Sequence, residues 1–220
     1  MDDDVEANDD VGANDDVEAN DGIGANDDVE AVLRTDPTMA SLIDEHGWLP
    51  VTPADDEFRR LCRSVISQQL STASATAIRE RVFAVLDDDV TPENVLVADE
   101  DRLREAGLSG TKVRYLRSIA TAFDERDLTR GGLSALTDEE VVAELTTITG
   151  VGEWTARMYC MFALGREDVL PLGDLAVRRG IKALYNDGEE LTRAEMREIA
   201  EPWRPYRSYA TRYVWADYES

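Results

Sequence analysis

Two stretches of this sequence set residues that could hold an anion close to residues that could stabilise a developing positive charge. The first is TGVGEWTARMYC, from Thr149 to Cys160, with Gly150 and Gly152 one residue apart between an apolar run and a helical pattern. Glycine tolerates positive φ, and its missing side chain lets backbone N–H groups come close to a ligand. Those N–H groups fall at the start of a helix expected over Glu153–Leu164, where the dipole favours an anion, and Thr155 adds a hydroxyl there. A phosphate could be held this way without a lysine. The second is Gly173-Asp174, which ends a proline-containing loop 22 residues after Gly152 and precedes another helical pattern. An aspartate there commonly caps the helix. At that distance it is also placed to return a carboxylate to the strand that the hairpin would hold. A lone G-x-G is a weak signal, because glycine is frequent at helix ends.

The charge of the chain sits awkwardly with phosphate binding. Asp and Glu number 47 against 23 Lys and Arg, for a net charge of −24, and Lys112 and Lys182 are the only lysines. Such an acid excess with so little lysine resembles proteins of salt-loving archaea. In molar salt the Debye length is about 3 Å and counterion release loses much of its force, so short contacts must replace bulk positive charge. Arg157, Arg178, Arg179 and Lys182 flank the two motifs and are expected to supply a local basic face.

Those motifs need a scaffold, and the periodicity supplies an all-α one. ANDDVG, ANDDVE, ANDGIG and ANDDVE repeat at six-residue steps from Ala7. With one aliphatic residue per copy, the stretch buries too little to offset its ordering entropy, so residues 1–35 read as a disordered acidic tail. Residues 1–36 hold 14 acids and one arginine, leaving −11 on the rest. From residue 36 onward the pattern is that of a folded helical domain. Phe58, Leu61, Cys62, Val65 and Ile66 mark one face of an amphipathic helix, Thr91-Pro92 starts another, and Thr137 with Glu140 forms a capping box. Nine or ten helices are expected, without β-alternation. Cys62 and Cys160 fall in apolar helical patterns and read as core residues. No apolar run is long enough to span a membrane, and the N-terminus lacks a secretory pattern, so a cytoplasmic protein is expected.

Five blocks in order carry a resemblance: VISQQLSTASA, LREAGLSGTKVRYLRSIA, LTTITGVGEWTARMYCMFALG, DVLPLGDLAVRRG and WRPYRSYATRYVW. From about Asp36 to Tyr218 the chain resembles the helix–hairpin–helix DNA glycosylases, and within them the alkylated-base branch, DNA-3-methyladenine glycosylase II. The resemblance implies an all-α fold of two small helical subdomains with the active site in the cleft between them. It implies a flipped, damaged base in double-stranded DNA as substrate, hydrolysis of the N-glycosidic bond, a monomer, and no cofactor.

It also implies roles. Asp174 stands at the catalytic aspartate, where a carboxylate near C1′ stabilises an oxocarbenium-like transition state and orients water. Trp154 and Trp215 match aromatic positions of the base pocket, where an indole face attracts a cationic base. The family's second pocket aromatic corresponds to Met158, which leaves pocket shape and lesion range open. SQQLS matches the loop that plugs the gap left by the flipped nucleotide, with Gln68 and Gln69 as candidates for the wedge. The hairpin carbonyls near Ile148 and Val151 match a monovalent-cation site; no transition-metal site is expected, and His46 lies outside every motif.

Three departures narrow the class. Strand-cleaving relatives have a lysine where Trp154 stands, so no Schiff base is expected. No four-cysteine cluster follows residue 200, so no iron–sulfur cluster is expected. About twenty residues separate the tail from the first core helix, leaving no room for the N-terminal β domain of two-part bacterial relatives. Two rivals stay open: a glycosylase for hypoxanthine or an oxidised purine, and a helix–hairpin–helix module that binds DNA without cleaving it.

Overall fold

The computed structural model describes residues 25–220, and among these every regular element is helical. Two compact units emerge, one from residues 25–52 with 165–220, the other from residues 53–164.

The continuous unit holds α3 (Glu57–Ser67), α4 (Thr72–Val85), α5 (Pro92–Val97), α6 (Glu100–Glu105), α7 (Gly110–Glu125), α8 (Asp138–Leu145) and α9 (Glu153–Phe162). Its hub is α3, which packs on α4, α7 and α9. The residues that mark its apolar face, Phe58, Leu61, Cys62, Val65 and Ile66, are all buried, and Asp56 caps it by accepting the Arg59 N–H. Phe58, Phe123 and Tyr159 form a chain of edge-on rings, and the Tyr159 hydroxyl donates to the Leu128 carbonyl at 2.7 Å. Cys62 and Cys160 are buried free thiols, and burial pushes the pKa of Cys62 up, which keeps it a protonated core residue. The capping box at α8 is formed as expected, with Thr137 and Glu140 exchanging bonds.

The discontinuous unit holds α1 (Ala25–Leu33), α2 (Pro37–His46), α10 (Leu175–Tyr185), α11 (Arg193–Ile199), a 3₁₀ turn (Glu201–Trp203) and α12 (Arg207–Glu219). Here α12 packs on α10 and α2. Asp36 ties the unit together with both oxygens. Its Oδ1 caps α2 by accepting the Thr38 and Met39 N–H groups, and its Oδ2 accepts the Tyr185 hydroxyl at 2.7 Å and the indole N–H of the fully buried Trp203 at 2.9 Å. Removing a cap costs about 1 kcal/mol, and removing a charged hydrogen-bond partner about 1.5–3 kcal/mol. Asp36→Ala should therefore lower the unfolding free energy by about 3 kcal/mol, read from the shift in urea midpoint.

One boundary differs from the sequence reading. The expected tail runs to residue 35, but its fourth repeat copy opens α1, where Val29 and Leu33 are 2% and 0% exposed and the helix packs on α2 and the 3₁₀ turn. The reason is local: this copy runs into Ala31-Val32-Leu33, so Val29 gains an apolar partner at i+4. Burial of two such side chains contributes roughly 2 kcal/mol each. The tail expected over residues 1–24 lies outside the described residues. The helix count, twelve among the described residues, exceeds nine or ten partly because of α1.

Candidate functional site

In the continuous unit, α8 and α9 form the hairpin. The turn closes when the Val151 N–H donates to the Ile148 carbonyl at 3.0 Å. The two glycines have different jobs. Gly150 sits at φ 97, and a Cβ there would lie 2.3 Å from Cγ of Tyr115, so both conformation and packing demand glycine. Gly152 has ordinary extended geometry, φ −86 and ψ 173, and a Cβ there would meet nothing within 4 Å. Nothing inside the protein requires glycine at 152. It is the exposed N-cap of α9 and offers no side-chain cap, so a ligand can approach the start of α9 past a backbone without a Cβ. That is the arrangement an approaching phosphate oxygen needs. The positive φ expected of the turn is found at Gly150.

Thr155 departs from its expected role as a phosphate ligand. It is 3% exposed, and its hydroxyl accepts a hydrogen bond from Nε2 of Gln68 at 3.2 Å. The same amide nitrogen reaches the Gly150 carbonyl at 3.3 Å. Gln68 is thereby a strut between the end of α3 and the hairpin rather than a free wedge. Its neighbour Gln69 is exposed, with φ 58. Trp154 is half-buried, and Met158, one turn on along the same face of α9, is buried. For the implied monovalent cation, the Ile148 carbonyl already accepts one N–H; a carbonyl has a second lone pair, so Ile148 and Val151 would hold such an ion with the turn intact.

In the discontinuous unit, the loop before α10 folds on itself, with the Asp174 N–H donating to the Pro171 carbonyl at 2.9 Å. Asp174 is the N-cap of α10, and its Oδ1 accepts the Val177 N–H at 3.0 Å. The indole N–H of Trp215, from α12, reaches the same oxygen at 3.3 Å. Two donors on one oxygen from two helices fix the plane of the carboxylate. The cap reading and the carboxylate reading of Asp174 are therefore compatible. Trp215 is 7% exposed and lies at the carboxylate, with its polar edge committed there.

The expected basic face is altered. Arg178 turns back on its own loop, and its Nη1 donates to the Leu172 and Gly173 carbonyls, both at 3.0 Å. Arg157 pairs with Glu153, Lys182 with Glu190, and Arg179 donates to the Tyr218 hydroxyl. These cations brace the motifs more than they present charge. Among the described residues, the potential metal-ligand group is Glu45, His46 and Asp217, with ligand atoms within 4.8 Å of one another; neither Asp174 nor the hairpin belongs to it.

Sequence reasoning missed Tyr115, which presses on Gly150, and Lys112, whose Nζ donates to the carbonyls of Ile66 and Gln68 at 2.6 Å each. Lys112 did carry a signal, as one of two lysines in the chain.

Residues 62–205 match the HhH-GPD superfamily of base excision DNA repair proteins, and the chain belongs to that superfamily. It is similar to DNA-3-methyladenine glycosylase 1 of Schizosaccharomyces pombe, 33% identical over 163 residues that cover 73% of this chain and 72% of the relative. Among solved structures it is similar to a DNA-3-methyladenine glycosidase from Bacillus halodurans, with TM-score 0.79, 32% identity, and coverage of 87% of this chain and 89% of that one. It is also similar to S. pombe 3-methyladenine DNA glycosylase Mag1, solved with abasic DNA, with TM-score 0.76, 30% identity, and coverage of 88% and 97%.

Proposed function

We propose that this protein is a monofunctional DNA glycosylase that excises alkylated bases of the 3-methyladenine type. The observation that carries this is Asp174, a carboxylate held in one plane by Val177 and Trp215. Capping α10 does not need the second donor from α12, and the relatives named 3-methyladenine glycosylases support the lesion class. An N3-methylated adenine is already cationic and leaves readily. The C1′–N bond breaks with its electron pair on the base, and the sugar develops oxocarbenium character, which the carboxylate stabilises. Water adds at C1′, its proton passes to Asp174 or to solvent, and a free base and an abasic site result. With Trp154 in place of an amine nucleophile, the reaction stops there.

Within the continuous unit, DNA would be gripped at the N-terminus of α9 through Gly150 and Gly152; within the discontinuous unit, Trp215 lies at the Asp174 carboxylate, where the aromatic of a base pocket is expected. The net charge of −24 fits a protein that works in concentrated salt, where N–H contacts and stacking outlast long-range attraction.

The test is to incubate the protein with methylated duplex DNA in ~2 M KCl, a salt level at which the Debye length is below about 3 Å, and to separate the released bases by chromatography. Free 3-methyladenine with uncut strands is expected. A covalent adduct trapped by borohydride, or binding with no released base, would contradict the proposal. In the same assay Trp215→Phe should slow single-turnover release by about 10-fold, the worth of one hydrogen bond to a charged group, with little loss of stability because the ring still fills its site.

A further inference from the structure

We propose that Lys112 is a positioning residue. Together with Gln68 it holds Gln69 in the conformation that drives its side chain into the gap left by a flipped nucleotide. This rests on the glycosylase reading only for its purpose; the geometry lies wholly within the continuous unit. Gln69 follows the last turn of α3 with φ 58, a left-handed conformation that a residue with a Cβ disfavours. It is also exposed, so its own packing does not hold it there. The surrounding groups do. Nζ of Lys112 donates to the Ile66 and Gln68 carbonyls, one on each side of Ser67. On the far side, the Gln68 amide donates to the Gly150 carbonyl and to Thr155. The residue before Gln69 is thus anchored through both backbone and side chain. The loop ends at Ser71, the N-cap of α4.

Lys112 lies in the first turn of α7, the end of a helix where the dipole disfavours a cation. Its ammonium crosses instead to the C-terminal carbonyls of α3, where a cation is favoured, and burial lowers its pKa. A chain that otherwise uses arginine for nearly all its positive charge keeps lysine here. A compact ammonium with three donors can converge on two neighbouring carbonyls, a geometry that a planar guanidinium does not match. Through Gln68, the wedge loop and the phosphate-holding hairpin are one braced body.

The test uses full-length protein and a duplex carrying a tetrahydrofuran abasic analogue with 2-aminopurine opposite the gap. Insertion of a side chain into the gap changes the fluorescence of that base. Binding is followed separately by anisotropy and folding by thermal melting. The wild type should give a large fluorescence change and Gln69→Ala almost none. Lys112→Met and Gln68→Ala should melt somewhat below the wild type, each having lost two hydrogen bonds, yet when the DNA is saturating they should lose about 10-fold in the inserted population because the left-handed residue is unsupported. Lys112→Arg should recover only part of the signal. Combining Lys112→Met with Gln69→Ala should add nothing to the loss from Gln69→Ala alone.

An unchanged signal in Lys112→Met, or no signal from the wild type, would overturn the proposal. So would a loss that merely tracks reduced binding, since that marks a purely structural role. If the wild type releases no base from methylated DNA, the glycosylase reading fails on its own, and the fluorescence still decides this one.

Discussion

Asp174→Asn is expected to slow single-turnover base release by about 10²–10³-fold or more, the usual cost of removing a preorganised electrostatic partner of the transition state. The fold should scarcely notice. Asparagine caps a helix as well as aspartate does, and its amide oxygen can accept from both the Val177 N–H and the Trp215 indole. The substitution removes the charge and keeps the geometry. Asp174→Ala would lose the charge and also the cap, adding about 1 kcal/mol of destabilisation. Equal urea midpoints for wild type and Asp174→Asn, with release nearly abolished, would separate the two roles of this residue. If Asp174→Asn released base at the wild-type rate, Asp174 would be a cap and nothing more.

The second large effect divides the hairpin glycines. Gly150→Ala places a Cβ at φ 97 and 2.3 Å from the Tyr115 ring. Backbone strain and overpacking cost about 1–3 kcal/mol each, so it should destabilise the protein by roughly 2–6 kcal/mol and disturb DNA binding as a consequence. Gly152→Ala should do the reverse. Its backbone suits any residue and its methyl meets no protein atom, so the cost is a few tenths of a kcal/mol of capping preference. That methyl would stand where a phosphate oxygen approaches the N–H groups of α9, and affinity for abasic duplex should fall by about 10-fold, equivalent to losing about one charge-assisted hydrogen bond. Denaturant midpoints and anisotropy titrations on the two variants measure both quantities. Wild-type affinity in Gly152→Ala would remove the hairpin from DNA binding.

Much of this was legible in the sequence because local rules governed it. The i, i+3, i+4 pattern from Phe58 to Ile66 gave α3 and its buried face. Thr137 with Glu140 gave the start of α8, and Asp174 ahead of LAVRRG gave the cap of α10. What stayed hidden depends on contacts distant in sequence. Gln68 and Gln69 are adjacent amides of the same type, and only the Gly150 carbonyl and Thr155, over 80 residues away, decide which is tied down. Thr155 lies in the first turn of α9, where a hydroxyl could face a ligand, yet it is buried and accepts from Gln68. The two glycines look alike in sequence, and Tyr115 is what makes them different. α1 was missed because its repeat copy is identical to an earlier one, and the difference lies in the three apolar residues that follow it.

The central claim, hydrolytic excision of an alkylated purine, is tested most directly by base release from three duplexes that differ in one nucleotide: 3-methyladenine, hypoxanthine or 8-oxoguanine. Single-turnover release would be measured for each, with strand integrity followed in parallel. The account predicts rapid release of the alkylated base, far slower release of the other two, and an uncut strand until alkali is added. Preferential release of hypoxanthine or 8-oxoguanine, or strand cleavage in step with base loss, would contradict it.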